Sequence, residues 1–234
     1  MSYQQVRFES VARPRPAHVE PTGSKDLRSA GALLFTAGCI VLMGIITAEA
    51  LYPLTYTTAG NEISDLGGTR PPAGLVFQPS ATIFNLTMMA TGVLVLLGVV
   101  VGHRQFGRAT SLAITLLGAS VLGVGIFPGN TGTPHALLAM GAFFSGGIAA
   151  VLSARAVMPP LRYVLGLLGT VNLLALTSYF ALGDANPLWA LGVGGAERWV
   201  AYPVILWLIG YGGYLVGSAS SARESSDLRA MATT

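Results

Sequence analysis

Long apolar runs separated by short polar breaks set the pattern of this chain. Runs near residues 29–51, 80–102, 109–127, 134–154, 161–182 and 199–218 are almost free of charge. Each approaches the roughly 20 helical residues needed to cross a hydrocarbon core of about 30 Å. The pattern predicts an all-α, polytopic bundle of six transmembrane helices. Residues 1–28 are polar, mixed in charge and broken by Pro14, Pro16 and Pro21, which reads as a disordered tail rather than a cleavable signal peptide. The first run then acts as an uncleaved signal anchor. Residues 219–234, rich in Ser and Ala, read as a second tail, so the expected division is tail 1–28, membrane domain 29–218 and tail 219–234.

Composition agrees with this division. Charged residues make up 10% of the chain and apolar ones 52%, outside the range of soluble domains. An even number of spans puts both termini on one side, and the basic residues indicate which side. Arg7, Arg13, Arg15, Lys25, Arg28, Arg104, Arg108, Arg155, Arg162, Arg223 and Arg229 share one face, against only Arg70 and Arg198 on the other. By the positive-inside rule both termini are expected in the cytoplasm, with the protein in the plasma membrane. Acidic residues divide evenly, which leaves the outer face net negative. The formal charge of +3 is therefore a topology signal. Nucleic acid is not an expected partner, because the bases flank spans and form no stripe.

The single cysteine, Cys39, lies inside the first span, which excludes an intrachain disulfide and a multi-cysteine metal site. It reads as a packing residue. Small residues recur four apart at Gly98 and Gly102, Ala119 and Gly123, Gly141 and Ser145, Gly146 and Ala150, and Gly213 and Gly217, a spacing that lets membrane helices approach closely. Asn85, Asn172, Thr177 and Ser178 are polar groups inside spans and need partners there. For Asn172 the expected partner is a neighbouring helix; for Asn85, nearer the outer loop, a helix partner and a ligand stay open.

The cytoplasmic connections are short and basic, whereas the outer ones hold the unusual sequence. Residues 52–79 form a loop long enough to be folded or functional. Within it, Glu62 precedes Asp65 by one helical turn, which would bring two carboxylates onto one face and suit acid–base work. Ser64 and Asp65 can equally close a turn or cap a short helix. His135 follows Pro134 at the outer start of the fourth span, where it could act as a base or bind a phosphate. His18 and His103 fall on the cytoplasmic side, so no multi-histidine metal site is expected, and no cofactor. A Ser64, His135 and Asp65 triad is conceivable but lacks the elbow such nucleophiles sit on. The third outer loop ends in Gly192-Val193-Gly194-Gly195-Ala196-Glu197-Arg198. Its glycines could turn amides toward an anion, and Arg198 could add a bidentate phosphate contact. Trp189, Trp199 and Tyr202 more simply mark the interface. Arg70 and Arg198 beside several carboxylates suggest a phospholipid headgroup site rather than a solute pore.

Several of these residues also carry a resemblance. Ile63-Ser64-Asp65-Leu66-Gly67, Pro71-Pro72, Ile83-Phe84-Asn85, Gly125-Ile126-Phe127-Pro128, His135 and the stretch from Gly192 to Trp199 with Tyr202-Pro203 resemble the domain-of-unknown-function 998 family of six-span prokaryotic membrane proteins. The resemblance covers residues 30 to 217. The Ile-Ser-Asp, Pro-Pro, Asn and later His pattern is also distantly similar to the DRAM and Frag membrane family, with members in autophagy and in lipid remodelling on glycolipid anchors. The resemblance implies a lipid-related role at the non-cytoplasmic face and supplies no catalytic residues.

Three functions follow from these readings. The first is a non-catalytic component that binds membrane lipids, or another membrane protein, in support of the cell envelope, with Arg70, Asn85, Glu197 and Arg198 as ligand contacts. The second is a lipid hydrolase or transferase at the extracytoplasmic face using Asp65, Glu62 and His135. A transporter ranks last, because midspan charge and internal repeats are missing.

Overall fold

The computed structural model describes residues 22–232; residues 1–21, most of the expected N-terminal tail, and residues 233–234 lie outside them. Six long helices follow in order: α1 (Thr22–Ala50), α2 (Ser80–Gly102), α3 (Arg108–Ile126), α4 (Thr133–Ala154), α5 (Leu161–Leu182) and α6 (Gly192–Ala232). All are long and apolar enough to cross a membrane, and no strand occurs among the described residues. Each helix packs chiefly on its neighbours in sequence, and α6 closes the ring against α1. Large apolar side chains such as Leu86, Val100, Leu112, Leu167 and Leu174 face outward, as a lipid solvent permits.

Small residues set how closely the ring closes. A Cβ on Gly31 would meet Leu215 Cβ at 2.7 Å and the Gly212 carbonyl at 2.8 Å, and one on Gly212 would meet the Phe35 backbone nitrogen at 2.4 Å. The backbones of α1 and α6 touch there. Of the spaced pair Gly213 and Gly217, a Cβ on Gly213 would rest in ordinary contact with the Phe35 ring at 3.7 Å, and nothing lies within 4 Å of one on Gly217. Two polar groups in the spans are tied across helices: the Asn172 side chain donates from α5 to the Val200 carbonyl at 2.7 Å, and Trp207 Nε1 donates from α6 to Ser153 Oγ at 2.8 Å.

Three boundaries depart from the sequence reading. Helix α1 begins at Thr22, directly after the last of the tail prolines, and α6 continues to Ala232. Past Gly217 the chain has no Gly or Pro, and its Ala, Arg, Glu and Leu residues favour a helix, so α6 continues through the segment from 219 to 232, while the stretch apolar enough to cross a membrane ends at Ser221. At the other end α6 starts at Gly192, ahead of the expected 199. The third outer connection is therefore short, made of 3₁₀ turns Gly183–Ala185 and Pro187–Leu191.

The first outer loop folds down onto the bundle. Its 3₁₀ turn Ile63–Leu66 pushes Ile63 and Leu66 into a cluster with Val41, Ile45, Phe84, Met88, Ala201 and Ile205. Burying two such side chains yields about 1.5–3 kcal/mol each, which is enough to hold a short turn as a plug.

Candidate functional site

Beneath this plug lies a cavity of about 770 Å³ among the loop-side halves of α4, α5 and α6. Its size falls in the range of small-molecule sites. Glu62, Ser64, Arg70, His135 and Glu197 supply the polar part, and Ala139, Met140, Phe143, Leu176 and Val200 line the rest. Leu137 of α4 and Phe180 of α5 border it and are each 69% exposed on the outer surface of the bundle, and the exposed Arg70 and Pro71 border it on the loop side, so the cavity is open both between these two helices and toward the loop. Ser64, His135, Ala139, Phe143 and Glu197 also line a narrower, apolar cleft of about 100 Å³ that runs inward to Thr91, Leu117 and Leu208. At 1.5 Å per residue Thr91 sits about 16 Å below the start of α2. Its hydroxyl is buried and has no hydrogen-bond partner.

The polar residues are held in fixed roles. Arg70 bridges Glu62 at 2.7 Å, with the arginine at the exposed rim. Burial pushes the Glu62 carboxyl above its ordinary range; Arg70 pulls it back, Asp65 pushes it further up, and the Ser64 hydroxyl pulls it back. His135 Nδ1 lies 2.8 Å from the Phe127 carbonyl. A carbonyl only accepts, so Nδ1 carries the proton, and in the neutral ring the lone pair is then on Nε2. Glu197 accepts a hydrogen bond from the Ile63 amide. It makes no ion pair among the described residues, where Arg70 goes to Glu62 and Arg198 to Glu49.

Three residues expected at the site play other parts. Asp65 does not line the cavity; its carboxylate accepts from the Glu62 amide at 3.0 Å and closes the cap of the 3₁₀ turn. Asn85 also stays outside, donating to the Gly67 carbonyl at 3.4 Å, so it fastens the loop to α2. Arg198 is buried and points into the protein. One of its terminal nitrogens donates to the carbonyls of Thr58 (3.0 Å), Asn61 (3.0 Å) and Gly194 (2.9 Å), and the other to Glu49 and the Tyr56 hydroxyl (2.9 Å). Tyr56 in turn donates to the Glu62 carbonyl at 2.9 Å, and burial pushes its phenol up despite the nearby guanidinium. The glycines before Arg198 form no anion cradle either. Gly194 donates to Ala59 at 3.0 Å, and a Cβ on Gly194 would lie 1.9 Å from the Asn61 carbonyl, so glycine there lets the loop rest on the start of α6.

Glu62, Arg70, His135 and Glu197 are thus brought together, while Asp65, Asn85 and Arg198 secure the plug. Glu49 and Tyr56, partners of Arg198, escaped the sequence reading, as did Tyr179 on the cavity wall, whose ring meets Trp189 edge-on at 4.9 Å. A polar residue within a span was the available signal for Thr91; for Tyr56 and Tyr179 composition offered none. No group of three His, Cys, Asp or Glu among the described residues is placed to hold a metal ion.

The family described as protein of unknown function (DUF998) matches the chain over residues 35–213. No curated protein matches, and no solved structure does.

Proposed function

This chain belongs to the DUF998 family, a multi-pass membrane family of unknown function, and from that premise we propose that it binds a membrane lipid without transforming it, as a component supporting the cell envelope. The observation that carries this reading is the sideways opening of the cavity between α4 and α5, polar under the loop and apolar below. The rim at Arg70 and Pro71 lets a headgroup stay near water, whereas the gap bordered by Leu137 and Phe180 faces acyl chains. The positive-inside distribution supports termini in the cytoplasm of a plasma-membrane protein, and with them a cavity at the extracytoplasmic face.

Leu137→Trp fills the opening without touching a polar group. Lipids retained by purified wild type and by this variant, quantified by mass spectrometry, test the reading. A lipid class enriched in wild type and lost in the variant is expected; the same unselective mixture from both would overturn it.

A hydrolase or transferase is the second reading, favoured by Ser64, the free Nε2 of His135 and Glu197 on one wall. It ranks second because no hydrogen bond joins Ser64 to His135 among the described residues, so His135 does not hold the nucleophile it would activate. Conversion of native lipids by wild type and Asp65→Asn but not by His135→Ala would establish it over simple binding.

A further inference from the structure

The polar groups that line the cavity are mostly hydrogen-bond acceptors. Glu197 has one partner, the Ile63 amide, and no cation at bonding distance. His135 is 6% exposed and lines both the cavity and the cleft, and with its proton on Nδ1 it offers Nε2 as an acceptor. Ser64, also 6% exposed, adds the lone pairs of its hydroxyl to the same wall. The guanidinium that could welcome an anion, Arg70, is already paired with Glu62 at the rim, and Arg198 is turned into the protein. A phosphate entering here would meet the carboxyl groups of Glu62 and Glu197 and one arginine that is already engaged. An alkylammonium group has the opposite inventory: three N–H donors, no acceptor and one positive charge. The Tyr179 ring on the same wall adds a face on which a cation can rest. Further in, the Thr91 hydroxyl, 1% exposed and without a partner, lies at the end of the cleft that begins beside Glu197 and His135.

We propose that the cavity recognises the primary ammonium group of an amine-bearing lipid, held by Glu197, His135 Nε2 and Ser64, with the apolar part of the lipid leaving between α4 and α5. This deepens the lipid-binding reading and rests on it. It also replaces the phosphate contact expected from the sequence with the opposite charge preference.

Dodecylamine, dodecanol and dodecyl phosphate share one chain and differ in the head. Each is titrated by calorimetry into the full-length protein in phosphatidylcholine nanodiscs, with empty nanodiscs subtracted. Wild type is expected to bind the amine about ten-fold tighter than the alcohol, and the phosphate weakest, as one charge-assisted hydrogen bond implies. Glu197→Gln, which keeps an oxygen for the Ile63 amide, is expected to bring the amine down to the level of the alcohol. Arg70→Gln, at an exposed position, frees Glu62 and is expected to strengthen amine binding, a gain that no folding defect produces. Equal binding of all three heads, preference for the phosphate, or weaker amine binding by Arg70→Gln would overturn the ammonium assignment and leave a lipid cavity standing. Binding of none of them by monodisperse wild type would overturn both.

Discussion

Arg198 holds the plug at more points than any other side chain, because its planar fork reaches three carbonyls, a carboxylate and a phenol at once. Lysine presents a single charged point and cannot span these partners, so Arg198→Lys is expected to lower the melting temperature in detergent. Arg198→Met also strands Glu49, at a cost of about 3 kcal/mol; protease sites within 52–79 should open in parallel, and an unchanged cleavage pattern would contradict the clamp. Glu62 gives a second prediction. Burial raises its carboxyl in the folded protein, so the folded state keeps this proton to higher pH than the unfolded chain does. Its contribution to stability is then full below the ordinary carboxyl value and lost as pH rises through the raised one. Melting temperatures measured from acid to neutral pH should fall for wild type relative to Glu62→Gln, and parallel curves would exclude it. That these polar residues share a face was legible from their places between spans. Which acid meets which base was not, since Glu49 and Arg198 stand 149 residues apart and only the ring of helices brings them together.

At the scale of elements, the apolar runs located the helices well: α2 and α5 begin and end where the hydropathy does. Helix α6 outran its apolar stretch at both ends, because Gly192 to Glu197 and the Ala- and Ser-rich C-terminal segment are polar or small yet helical. Hydropathy marks what can sit in lipid, and helix formation extends beyond it wherever no breaker intervenes. Spacing of small residues was a weaker guide, since a four-residue repeat does not say which face meets a neighbour. Gly212→Leu should therefore disrupt the bundle, with overpacking of about 1–3 kcal/mol or more against the α1 backbone. Gly217→Leu should be tolerated. Size-exclusion profiles of the two variants distinguish them, and equal behaviour would refute the assignment of the contact.

Across the whole molecule, the ring of six helices, the plug and the cavity form one arrangement, of which the sequence disclosed the six-helix bundle and the loops that hold the polar residues, but not the closure of α6 on α1. The cavity was not legible, because it depends on how far α4 and α5 stand apart on the loop side. Orientation is tested at this scale. In a Cys39→Ala background, Ala73→Cys lies on the exposed part of the loop and should react with an impermeant thiol reagent applied to intact cells. Labelling only after rupture would reverse the topology and the side of the cavity with it. The Arg198 clamp also has a consequence for synthesis. Its anchors at Thr58 and Asn61 precede it by 140 and 137 residues, so the ribosome works for roughly 7–30 s after the loop emerges before the arginine that fastens it exists. During that interval the nascent chain must keep Ile63 and Leu66 from wrong partners, which makes the half-made protein, not the finished one, the form most exposed to quality control.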